Sequence, residues 1–146
     1  MRAFVFPLRQ ALDWRRSQLD LEENQLRKLV GALEELALAA VRLDLVKGRA
    51  EQTVRESAEV EARDLWSLAA YRQRLIAEIE TLEQRRKAGE QQLATQRQKV
   101  LEAQRQCRLL EKLEQRRRAE WLRESDREME NLAAESFLAR WNRPAG

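Results

Sequence analysis

The chain is 146 residues long, room for one domain, and 36% of it is charged, with only four glycines, two prolines and 5% aromatics. That composition, rich in Ala, Glu, Lys, Leu, Arg and Gln, reads as long helix or coiled coil and excludes a large enclosed core or deep pocket. The net charge of +3 comes from 28 basic and 25 acidic residues, so local clustering says more about partners than the total does. Histidine is absent and Cys107 is the single cysteine, which removes the commonest general base and metal ligand and any internal disulfide. A reducing compartment fits. The longest apolar run, Leu36 to Val41, is far too short to cross a bilayer, and the first residues lack the apolar core of a signal peptide. A soluble, cytoplasmic protein is expected.

Phe4 and Phe6 flank Val5 just ahead of Pro7, a residue suited to a first helical turn because its missing amide would have had no partner there. The pair forms either an extended leader with exposed rings or a staple packed on the helix's own first turns. From Leu8 a seven-residue repeat runs in two rows: Leu12, Leu19, Leu26, Leu33, Ala40 and Leu8, Arg15, Glu22, Leu29, Leu36, Leu43, Ala50. Alternating steps of four and three keep both rows on one stripe, the pattern of a coiled-coil seam. Arg15, Glu22 and Lys47 interrupt it; polar seam positions cost stability but fix register. Gly31 and Gly48 each cost roughly 1 kcal/mol against Ala.

The repeat fades after Val54, and Ser57 and Asp64 offer caps. The spacing predicts a helix over about 8–55, a turn over about 56–64 and a helix over about 65–140, before Pro144 and Gly146 end the chain. An antiparallel hairpin is favoured over one continuous rod, because two seams on one chain then satisfy each other. The second repeat has rows Leu68, Leu75, Leu82, Gly89, Gln96, Ala103, Leu110 and Ile79, Arg86, Leu93, Val100, Cys107. Cys107 there acts as a small apolar side chain. Beyond Leu110 the register slips, and Leu113, Trp121, Leu122, Met129 and Leu132 are the next apolar points. The fold class expected is all-α, a single coiled-coil domain with unequal arms. If both arms leave one turn, residue 8 lies opposite roughly residue 112, and a second arm of roughly 110 Å overhangs the first helix.

Arg97 to Arg118 holds eight basic residues against three acids, and the leader region adds Arg2, Arg9, Arg15 and Arg16 against Asp13. The hairpin brings both clusters to one end. Three readings stand beside one another: attraction to an acidic partner protein, nonspecific nucleic-acid binding, and a solvated helix surface. Nucleic acid falls behind because glutamates are interleaved and no base-reading motif is present. Trp14, Trp66, Trp121 and Trp141 are unusual on a thin seam; Trp beside Arg is the composition of interface hot spots, and Trp121 on the overhang is the prime candidate. Near the turn, Leu65, Trp66, Leu68, Tyr71 and Leu75 form a second patch that is either structural or a partner site. No Gly-rich phosphate loop, metal-spaced set or nucleophile motif is present, so a non-enzyme with no cofactor and no small-molecule substrate is expected.

The opening Phe4-x-Phe6-Pro7-Leu8 with Leu12 and Arg15-Arg16, and the segment from Leu110 through Arg116-Arg117-Arg118 to Trp121, resemble the flagellar export protein family FliJ. The tail around Met129 to Glu135 follows the family's acidic, lysine-bearing end only loosely. The resemblance implies a hairpin similar to the central stalk of rotary ATPases, a non-enzymatic component of the flagellar type III export apparatus that promotes assembly of the export ATPase hexamer. It further implies contact with the export gate membrane protein, an escort role for export substrates or their chaperones, and a place at the cytoplasmic face of the inner membrane. The ATPase end would then comprise Phe4, Phe6, Leu8, Arg9, Leu110, Lys112, Leu113, Arg116, Arg117 and Trp121. The gate contact would be Tyr71 and Leu75. The equivalent stalk of a non-flagellar secretion system, and a basic coiled coil binding nucleic acid, are the alternatives.

Overall fold

The computed structural model describes residues 2–56 and 62–143. The chain is all-α: two long helices packed against each other as a hairpin, with no strand among the described residues. Helix α1 runs Arg9–Glu56 over 48 residues and α2 Ala62–Trp141 over 80 residues, so the arms are unequal. These bounds lie within three residues of those the repeat predicts. Most of the predicted turn, with Ser57, lies outside the described residues, as do Pro144 and Gly146.

The ends follow from local chemistry. Pro7 and Leu8 form a turn ahead of α1, closed by the Arg9 amide donating to the Phe6 carbonyl at 3.1 Å. Asp64 lies in the first turn of α2, while Arg55 and Arg140 lie in the last turns of α1 and α2. Each charge opposes the helix dipole at its end. Gly31, Gly48 and Gly89 adopt ordinary helical backbone, none with positive φ. Gly89 has a packing reason, since a Cβ there would lie 2.6 Å from Leu33 Cδ2.

Contacts divide the chain into two packing units. In the unit Asp20–Leu101 the helices are antiparallel: Gln96 donates to the Glu22 carbonyl at 2.9 Å, Gly89 faces Leu33, and Arg72 approaches Glu51 at 3.2 Å. Leu75, Gln96 and Val100 are buried there. Two of the polar residues in the predicted seam, Glu22 and Gln96, are therefore each other's partners, with a second hydrogen bond from the Gln96 amide to the Glu22 carboxylate. Arg86, a polar residue in the second row, turns along its own helix to Glu83 and Glu90. The Arg86 hydrogen bond holds the Glu83 carboxyl below its usual range, and the same bond with the charges of Glu83 and Glu90 pushes the Arg86 guanidinium further up.

The unit Met1–Leu19 with Glu102–Gly146 buries Phe6, Leu12 and Cys107. Here too the helices are antiparallel, with Arg9 paired to Glu114 and Arg16 to Glu111 at 3.4 Å. Across both helices, every position of the predicted rows is buried or half-buried except Leu8, which sits in the turn before α1 and is exposed. No helix among the described residues is long and apolar enough to cross a membrane.

Candidate interaction surface

The leader, residues 2–6, is neither helical nor free. Pro7 stands ahead of α1, and the leader before it lays the Phe4 ring along α2 while Phe6 lies near Arg9 of α1. Phe6 is buried, and Phe4 is half-buried against Trp121 with ring centroids 6.1 Å apart at 57°, a tilted aromatic pair. The Trp121 indole donates to the Arg2 carbonyl at 3.1 Å, giving its N–H a partner. The Arg118 guanidinium lies 5.1 Å from the Phe4 centroid and that of Arg9 5.9 Å from the Phe6 centroid, both within cation–π range. Glu114 joins the pieces: it pairs with Arg9 and lies 3.8 Å from Arg118.

Trp121 therefore has a partner in its own chain, the leader rather than α1, and the bare part of α2 starts later. From residue 126 to Trp141 every α2 residue is exposed, including Met129, Leu132, Phe137, Leu138 and Trp141, with Phe137 and Trp141 stacked 6.4 Å apart. Between leader and α2 lies an open cleft of about 660 Å³ lined by Phe4, Val5, Pro7, Arg117, Glu120 and Trp121 among others.

Of the ten terminal residues singled out from the sequence, Phe4, Phe6, Arg9 and Trp121 are brought together in one cluster. Leu110 and Leu113 are half-buried and support the tip rather than present it, while Leu8, Lys112, Arg116 and Arg117 are exposed. The sequence reading missed Glu114 and Arg118, which join the leader to α2, and Val5, 77% exposed. Glu114 was only partly open to discovery: with residue 8 near 112 in an antiparallel pair, Arg9 falls opposite residue 111, and the acid it pairs with lies one turn further on.

At the other end, Tyr71 is exposed and lines a cleft of about 450 Å³ with Ala50, Thr53, Val54, Asp64, Ser67 and Leu68. Leu75 is different. It is 4% exposed, because its seam position turns it into the interface with α1, so it has no surface to offer a partner. Leu65 and Trp66 supply the accessible apolar area instead. Trp14 is exposed under the Arg15 guanidinium at 4.8 Å.

No protein-family model, curated protein or solved structure matches this chain. Its chemistry must be read from the surfaces themselves. What the terminal cluster offers is an aromatic nucleus with charges of both signs around it, Arg2 and Arg117 on the cationic side and Glu120 and Glu124 on the acidic side, a composition of the kind found at protein interfaces.

Proposed function

We propose that this protein is a non-enzymatic docking component whose terminal end engages the acidic surface of an oligomeric partner, and that it serves as the stalk of a flagellar type III export apparatus. The observation that carries the docking reading is the composite tip: Phe4 and Trp121 in contact, exposed Arg117 lining the same cleft, and Arg116 and Lys112 exposed further round and along the same helix. A leader folded back onto α2 orders the rings in advance, so less freedom is lost on association. The three cations steer an acidic partner and set its register more than they add raw affinity.

The assignment of that partner as the export ATPase hexamer rests on the resemblance of the two chain ends to the FliJ family. The same resemblance supports location at the cytoplasmic face of the inner membrane and a link to the export gate. For that link the exposed Tyr71, Leu65 and Trp66 are the usable surface.

The test is co-purification with a hexamer-forming export ATPase, followed by its ATPase rate and ring assembly with and without this chain. R116A/R117A is expected to weaken binding about tenfold or more at low salt and to flatten its salt dependence. An ATPase that neither binds nor responds to the wild-type chain removes the export reading. Binding that ignores R116A/R117A removes the tip assignment alone.

A further inference from the structure

The middle of α1 is apolar on the side away from α2 as well as toward it. Leu38, Val41 and Leu45 are each more than half exposed, and at 3.6 residues per turn they form one outward stripe. Arg27, Glu34, Arg49 and Glu56, all exposed, continue the same stripe, the whole set falling in an arc about 80° wide. The order along the helix is therefore basic, acidic, three apolar residues, basic, acidic.

That order reads the same in reverse with the charges exchanged. We infer that this face pairs with the same face of a second copy of the chain, antiparallel about a two-fold axis near Val41. In that register Leu38 meets Leu45 of the other copy, Glu34 meets Arg49, and Arg27 meets Glu56, each contact occurring twice by symmetry. A parallel, in-register pairing opposes Arg27 to Arg27 and Glu34 to Glu34, so the charges reject it. Gly31 and Gly48 flank the apolar centre with nothing within 4 Å of where a Cβ would stand, leaving room for a second helix to approach closely. Arg27 and Glu56 are held by amide side chains, Asn24 at 3.0 Å and Gln52 at 2.9 Å, weaker partners than an opposite charge.

The contact uses one face of one helix, less area than the ~1,000 Å² expected of a stable interface, so the dimer is weak and concentration-dependent. It occupies residues in Asp20–Leu101, apart from the terminal cluster, so its test does not depend on the docking partner.

The experiment is sedimentation of the full chain from about 10 µM to about 500 µM, a range suited to a weak contact. Monomer at the low end and dimer at the high end is expected. L45E abolishes the dimer with helicity by circular dichroism unchanged. E34K and R49E each weaken it about tenfold or more, since each places like charges together at both symmetric positions, and E34K/R49E restores it to within about threefold. A wild type that stays monomeric throughout overturns the inference and leaves the stripe to another protein. So does a dimer indifferent to these substitutions, or a double variant no tighter than either single one.

Discussion

Replacing Trp121 by alanine tests whether leader and helix form one surface. Trp121 makes one hydrogen bond to the Arg2 carbonyl and one tilted contact with Phe4. A hydrogen bond contributes about 1 kcal/mol net and an aromatic pair about the same beyond area burial, so W121A loses about 2 kcal/mol of leader docking, about a thirtyfold change in the docked fraction. Trp121→Phe keeps a ring against Phe4 and loses the donor, about 1 kcal/mol or roughly fivefold. Phe6 is buried independently, so the start of α1 holds in both variants. The assay is NMR: Phe4 ring protons, displaced by the indole in the wild type, move to random-coil positions in W121A and part-way in W121F. Phe4 resonances unchanged in W121A, or displaced as far in W121F, refute the composite tip.

Leu12 is fully buried, and L12A removes three carbons worth about 0.8 kcal/mol each plus a partly collapsed cavity, about 2.5–4 kcal/mol by urea unfolding; L21A, at a 61% exposed position, stays within about 0.5 kcal/mol. G31A and G48A each stabilise by about 0.5–1 kcal/mol because a Cβ meets only open space, whereas G89A gains less or nothing in the same unfolding assay, since Leu33 must move. The folded Glu83 carboxyl titrates below its ordinary value of 4.5, so the stabilisation from Arg86 is fully present above the unfolded value and is lost as pH falls through the folded one. Arg86→Ala moves the Glu83 titration, followed by NMR, back up to the ordinary range.

The seam was legible because heptad spacing is a direct consequence of helix geometry. Leu33 and Gly89 appear in the two repeats as a large and a small residue, and packing makes them neighbours. Glu22 and Gln96 were legible only as interruptions. Periodicity says that a polar residue enters the seam, but not which residue of the opposite helix answers it, because that depends on a register to within one turn. Arg86 escaped in another way: with glutamates three and four residues away, it is satisfied locally and asks nothing of α1.

The terminal cluster was the part least open to periodicity, because its first half is not helical. An extended leader has no repeat to place it, and Phe4 and Phe6 could equally have folded onto α1. What decides between those paths is the neighbour each offers. The start of α1 keeps Phe6, with the Arg9 guanidinium over its ring. Helix α2 presents Trp121 with a donor in need of an acceptor, and the Arg2 carbonyl supplies it. Once the leader lies there, the basic triplet divides. All three arginines are exposed, but Arg118 leans over Phe4 and toward Glu114. Glu111 and Glu114 are at the same time engaged by Arg16 and Arg9 from the other helix. Two of the acids in this stretch, Glu111 and Glu114, are thus paired across the two helices, each pair using up one cation of α1, so the net charge is that of the sequence and what the fold decides is where the remaining cations, Arg116 and Arg117, are exposed.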